Sequence, residues 1–378
     1  MVVTVDTDGL DNGSWPAPQG SAANDRTARV PLSGRGEVRW RIGLPEREVT
    51  GISVAAGDIC FVSTTSVVTA FKGPNVKWSA DAAAPSGCLL LDDGDMVTRE
   101  AGRLVVRHQD TGNIVSTIDA PVLRAPTVTP NGLLVFMSAR DGQPTLCATT
   151  TDGKPQWEHQ LDGWSSHPAL VHVGQVIVAD QMTLRAFDLS GKPTWTTELA
   201  SGPGEVVGPL VGLPGGRILA AIRAGDTVGY MVVDGQKSHA LPAHLPPQPL
   251  ALPLRADNVL VVPGWPQEHD GQLCPVVTAV DIDSGTTVLQ HDVPTAPHAM
   301  VAGPTGLFAV AGSPTWDRWE KYHSYPGYNL EDECYVHFLD KSGVRGEWRP
   351  GAPITGPLAV GVGGELLVPV AGELVCVA

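Results

Sequence analysis

The stretch TLRAFDLSGKPTW, residues 183–195, sets the frame for the whole chain. It reads as an apolar strand, a tight turn and the start of a second strand that carries a tryptophan. Asp188 and Gly191 supply the turn chemistry: Asp bonds its own backbone, and Gly accepts a positive φ without steric cost. Immediately upstream, WSSHPALVHVG and QVIVADQM give two further short apolar strands separated by a glycine. The unit is therefore four short strands with turns between them.

This unit recurs. The turn has counterparts in TTTDGK, VVDGQK, VDIDSGT and FLDKSGV, and the tryptophan strand in GEVRWRIGL (Trp40), PNVKWSADA (Trp78), GKPQWEHQL (Trp157) and RGEWRPG (Trp348). GNIVSTIDA, GQKSHALPA and GTTVLQHDV fill the same slot without tryptophan. Four strands repeated every ~40 residues is the pattern of a β-propeller. The three-strand core occurs eight times, near residues 51–72, 86–111, 124–153, 165–191, 206–236, 249–285, 299–343 and 355–377. The last unit stops after its third strand, so the Trp40 strand is free to supply the fourth. The expectation is an all-β fold, an eight-bladed β-propeller of four-stranded antiparallel blades, with the ring closed by the N-terminal Trp40 strand. Residues 1–36 form a lead-in and 37–378 the propeller. Repetition of the tryptophans points to packing between blades.

The Trp strand, the SHPALV entry strand, the AFDLSGKPTW turn and the lead-in SWPAPQGSAANDRTAR resemble the pyrroloquinoline-quinone-like propeller repeat family. That family includes quinoprotein alcohol dehydrogenases and the lipoprotein scaffold of the outer-membrane barrel-assembly machinery. The resemblance covers residues 14–378 and implies the fold. The dehydrogenases of the family carry an adjacent Cys-Cys pair, a stacking Trp and Ca²⁺ held by Glu, Asn and Asp. This chain has no Cys-Cys pair and its residues map to none of those ligands, so pyrroloquinoline quinone is not an expected cofactor.

Composition narrows the partners. Glycine (43) and proline (33) make about a fifth of the chain, above the usual ~12%, as a turn-rich fold requires. The net charge of −15 argues against nucleic acid. No stretch approaches 18 consecutive apolar residues, so no membrane span is expected. The six cysteines are scattered through apolar strands and read as buried thiols. MVVTVDTDGLDNGS offers neither a basic n-region nor an apolar h-region. Together these predict a cytoplasmic location.

One segment stands apart. WDRWEKYHSYPGYNLEDECY, residues 316–335, holds four of the five tyrosines. It falls between the second and third strands of blade 7, as an insertion at 313–333; blade 6 carries a second insertion at 264–273 in the same place. Loops joining second to third strands share one face with the loops joining blade to blade, and that face is called the top here. Long aromatic loops in compact folds tend to be functional, and Trp and Tyr suit contact surfaces. The expected ligand-binding residues are Trp164, Trp265, His269, Trp316, Trp319, Tyr322, Tyr325 and Arg124. His323, His167 and His298, with Asp317 as a carboxylate partner, are the candidates for acid–base chemistry. Glu331 and Asp332 could hold a divalent cation, Ca²⁺ or Mg²⁺. No GxSxG, HExxH, P-loop or Rossmann glycine pattern is present. The leading expectation is a propeller binding a small molecule or peptide in a top-face funnel. The alternatives are a cofactor-independent lyase, hydrolase or cyclase at that funnel, and a scaffold with a protein partner on the top face.

Overall fold

A computed structural model describes residues 28, 30–165, 167–199, 204–225, 227–245, 254–256, 258–269, 272–322 and 329–378. Eight antiparallel sheets follow one another along the chain. Blades 1 to 7 take their four strands in sequence order, with inner strands at Val49–Ala55, Cys88–Leu90, Thr127–Val128, Leu170–His172, Val211–Gly212, Leu254–Ala256 and Ala299–Ala302. In blade 5 a short extra strand, Glu205–Val206, precedes the inner one and pairs with the same neighbour. Blade 8 combines Ala359–Val360, Leu366–Val370 and Glu373–Val377 with the N-terminal strand Val38–Gly43. Trp40 lies opposite Cys376 and Arg41 opposite Val375. Eight blades and closure by the Trp40 strand are as the repeat predicts.

Each blade is covered on both faces by its neighbours. That is why second and third strands read as continuous apolar runs: Gln175–Asp180 is buried at every position after the first. Outer strands alternate, since one side meets solvent, as in Pro155–Gln160. The core is a series of seams between blades; one cluster joins Val135, Met137 and Ala148 of blade 3 to Val171, Val176 and Phe187 of blade 4.

The repeat tryptophan and the turn glycine form one contact. Trp78 on the outer strand of blade 1 donates from Nε1 to the Gln109 carbonyl of blade 2 at 2.8 Å. Its ring covers Gly112, where an added Cβ would come within 2.6 Å. Trp157 of blade 3 stands over Gly191 of blade 4 in the same way, with 2.4 Å to a Cβ. Both glycines have positive φ, 71° and 85°. At these two joins the repeat tryptophan and the turn glycine form a clasp between successive blades.

Residues 30–37 run along the face opposite the top. Ser33 N donates to the Gly364 carbonyl at 3.0 Å, and Glu37 N to that of Ala378 at 3.0 Å. Ala28 and Leu32 are buried in the cluster shared by blades 7, 8 and 1.

Two local features differ from expectation. The blade 6 insertion at 264–273 is read as a loop, but 264–269 is strand: Val259–His269 pairs with Gln272–Asp281 up to His269 opposite Gln272. An Asp-Gly dipeptide between two runs is the sequence of a two-residue hairpin turn, and it favours continued pairing over a free loop. The blade 7 insertion carries a short helix, Trp316–Tyr322. Thr315 caps it, its Oγ1 accepting from Arg318 N at 3.4 Å, with Asp317 in the first turn and Lys321 in the last. Among the described residues no helix is long and apolar enough to cross a membrane.

Candidate functional site

Four loops of the top face converge on a cavity of about 770 Å³. The loop from the closing strand into blade 1 gives Arg47 and Glu48. The loop between blades 6 and 7 gives Thr295, Ala296 and His298, and the loop between blades 7 and 8 gives residues 353–355. The insertion gives residues 313–318. Such a volume suits a small organic molecule or a few residues of peptide.

The insertion is fixed in place from several sides. Ser313 Oγ accepts the Ile354 backbone N–H at 3.1 Å, linking the insertion to the blade 7–8 loop. Arg318 forks onto Glu333 with two bonds of 2.6 and 2.7 Å, so the helix is tied to the 3₁₀ turn Leu330–Glu333. Arg349 Nη1 donates to the Asp332 carbonyl at 2.6 Å. Tyr335, fully buried, donates its hydroxyl to the Thr295 carbonyl at 2.9 Å and so shapes the opposite wall. Arg47 places its guanidinium carbon 3.8 Å from the centroid of the Trp316 ring and meets Glu320 at 3.3 Å.

Two ring nitrogens on lining residues are buried and without a hydrogen-bond partner: His298 Nε2 and Trp316 Nε1. Buried polar atoms are nearly always paired, and exceptions cluster at sites with a further role. Burial pushes the His298 imidazole below the usual histidine range, so the ring is neutral near pH 7.

The structure divides the expected site residues. His298, Trp316 and Asp317 line the cavity. Trp319 sits on the same helix, its N–H bonded to the Thr315 carbonyl at 2.9 Å, and is not part of the lining. Tyr322 ends the helix, while His323 and Tyr325 lie outside the described residues. Trp265 and His269 fall on the extended second strand of blade 6. Glu331 and Asp332 lie on the 3₁₀ turn; Asn329 Nδ2 donates to Asp332 Oδ2. Among the described residues no group of three or more His, Cys, Asp and Glu side chains is arranged to hold a metal ion.

Trp164, His167 and Arg124 belong to another sector of the rim, at the entries to blades 3 and 4. The Asp180 carboxylate accepts the backbone N–H groups of Asp162 at 3.0 Å and Gly163 at 2.6 Å, and presents Trp164 at 53% exposure. Burial lowers the His167 pKa, and the nearby Arg124 lowers it further against an opposing pull from Glu205.

Arg47, Glu48, Ser313, Thr315, Arg318 and Thr355 are lining residues that sequence reading missed. The available signal was positional: they occupy blade-entry loops or the insertion start, as His298 and Trp316 do.

Comparison with known proteins agrees with this architecture. Residues 100–248, spanning blades 2 to 5, match a family model described as outer membrane protein assembly factor BamB. BamB from Moraxella catarrhalis superposes with a TM-score of 0.62 at 15% identity, over 90% of this chain and 99% of that one. Quinohemoprotein alcohol dehydrogenase from Comamonas testosteroni gives 0.66 at 12% identity, over 98% and 81%. A streptogramin B lyase gives 0.51 at 11% identity, over 90% and 96%. No curated protein matches the chain. At these identities the likeness is one of fold. The chain is an eight-bladed β-propeller whose residues 100–248 are similar to the pyrroloquinoline-quinone-like repeat.

Proposed function

We propose that this propeller binds a small molecule or peptide in the top-face cavity beneath the blade 7 insertion. The observation that carries the reading is the pair of buried, unpartnered ring nitrogens on His298 and Trp316, two residues that line one cavity. A ligand offering a donor or acceptor to either would satisfy a group the protein leaves unpaired. The four-loop construction supports the same reading, because each loop is braced from outside the cavity by hydrogen bonds or ion pairs, and a braced wall loses little freedom on binding. The free, mostly buried state of all six cysteines supports a reducing, cytoplasmic setting.

Native mass spectrometry of the freshly purified protein tests the proposal. A co-purified organic mass that is lost in Trp316→Ala, with the melting temperature of that variant within a few degrees of the parent, would support it. Retention of the same mass by Trp316→Ala and by His298→Gln would place the ligand elsewhere and overturn it.

A second reading is favoured by His298 alone. A neutral imidazole with an unpartnered Nε2, in a cavity that Asp317 also lines, is equipped to take a proton from a bound substrate. Turnover that disappears in His298→Gln while ligand binding survives would distinguish catalysis from binding; equal loss of both would remove the catalytic reading.

A further inference from the structure

We propose that the occupant of the top-face cavity is an organic cation, an amine or guanidine that carries an apolar body and a hydrogen-bond acceptor. The inference rests on the reading that the cavity binds a ligand and names its chemical class.

The charges on the wall carry the argument. Four lining residues have formal charge: Arg47, Arg318, Glu48 and Asp317. Both arginines are already matched by carboxylates that are not part of the lining. Arg47 meets Glu320 at 3.3 Å, and Arg318 is held by both oxygens of Glu333. Glu48 and Asp317 meet no Lys or Arg among the described residues. Ion pairing therefore leaves two carboxylates of the wall without a Lys or Arg partner, in a protein whose net charge is −15. An anion entering here would face both carboxylates, and each arginine would have to leave a partner to receive it. A cation meets two unmatched charges and a field of the right sign.

The aromatic wall points the same way. Trp316 already draws a guanidinium: Arg47 lies over its ring at 3.8 Å. Indole is the strongest of the natural cation–π partners, and Pro314, Ile354 and Ala296 extend the apolar surface around it. Trp316 Nε1–H, buried and unpartnered, is a donor that a ligand carbonyl or hydroxyl oxygen would satisfy. His298, neutral through burial, adds no positive charge to the wall.

The test compares probes of one shape and three charges. The full chain is titrated calorimetrically with 4-phenylbutylamine, 4-phenylbutanol and 4-phenylbutyrate. Two peptides, acetyl-Ala-Arg-Ala-amide and its Gln counterpart, extend the series. The amine should bind about tenfold or more tightly than the alcohol, and the carboxylate more weakly than either. Glu48→Gln and Asp317→Asn should each weaken the amine about three- to tenfold and leave the alcohol unchanged. Arg47→Gln, which removes a positive charge and uncovers a ring face, should strengthen it. Rising salt should weaken the amine and the Arg peptide and leave the alcohol unchanged. An Arg peptide binding more tightly than the amine identifies a peptidic cation, and the reverse order a free amine; either supports the proposal. Equal binding of all three phenyl probes, or preference for the carboxylate, overturns the charge assignment and keeps the cavity as a ligand site. Failure of all five probes with a protein of unchanged melting temperature overturns both.

Discussion

Arg47 lies over the Trp316 ring, guanidinium carbon 3.8 Å from the centroid, although one follows the closing strand of blade 8 and the other opens the helix in the insertion of blade 7. The contact spans the width of a blade and holds the insertion helix over the cavity. A cation–π pair near the surface contributes ~0.5–1 kcal/mol. Arg47→Ala should therefore raise hydrogen exchange of the amides in residues 316–322 about two- to fivefold while leaving the strands unchanged. Exchange followed by mass spectrometry reads this directly, and unchanged rates would show that the Ser313 and Arg318 bonds hold the helix without Arg47.

A buried ion pair makes a larger prediction. Arg107 and Glu100 are 4% and 8% exposed and share two bonds of 2.9 and 3.0 Å. Arg107 also donates to the carbonyls of Gly112 and Asp81, joining blade 2 to blade 1. Removing one partner leaves an uncompensated buried charge, at a cost of ~3–5 kcal/mol. Glu100→Leu should lower the urea midpoint accordingly. Arg107→Met combined with Glu100→Leu should cost less than the sum of the two single changes, because neither charge is then stranded.

Stability should fall on mild acidification. His337 of blade 7 is buried against His291 of blade 6, with 3.1 Å between Nδ1 and Nε2. Burial first, then the neighbouring His291, push its pKa down to about 4, against an opposing pull from Glu347. The unfolded chain takes up this proton near pH 6.5 and the folded one near pH 4. Between those values the unfolded state binds more protons, so stability present above pH 6.5 is lost as pH falls towards 4. One proton allows a slope of at most ~1.4 kcal/mol per pH unit. His337→Phe should flatten unfolding curves recorded from pH 7 to 4.5. A curve that keeps the parent's slope would assign the effect to His298, His167 or His291, whose pKa values are lowered in the same direction.

The clasp between blades can be weighed with one pair of substitutions. Gly112 and Gly57 both have positive φ, 71° and 80°, so alanine costs ~1–2 kcal/mol of backbone strain at either. Only at Gly112 does the new methyl also meet an indole, Trp78, at 2.6 Å; at Gly57 nothing lies within 4 Å. Gly112→Ala should destabilise more than Gly57→Ala in thermal unfolding, and the difference measures the Trp78 contact.

The thiols give a simple check of packing. Five cysteines are buried and Cys274 is half-buried. Burial pushes the Cys88 thiol up to about 12, where thiolate is scarce at neutral pH. A thiol reagent at pH 7.5 should label Cys274 first, with the other five released together on unfolding.

Nearly all of the architecture was legible because a propeller writes its period into the chain. Trp78, Trp157 and Trp195 mark outer strands, Gly112, Gly153 and Gly191 mark turns, and apolar runs between them mark strands covered on both faces. The site was legible only in part. Aromatic density exposed Trp316, and a histidine at a blade entry exposed His298, since both are unusual residue types for their surroundings. Glu48, Thr295, Ser313 and Thr355 are ordinary loop residues, and only the curvature of the ring brings them together. The same curvature separates Trp164 and Arg124, at blades 3 and 4, from an insertion on blade 7. A shared face does not imply a shared sector.

Closure by the strand Val38–Gly43 has a temporal consequence. The cavity takes Arg47 and Glu48 from just after that strand, and residues 353–355 from just before the other three strands of blade 8. Its walls lie on either side of the ring's final join. With blades 1 to 7 formed, the cavity is complete only once Val38–Gly43 pairs with Glu373–Val377 in blade 8. Occupancy of the cavity is therefore a readout of ring completion, and a ligand that bridges Glu48 and Asp317 would act as a rivet across the join.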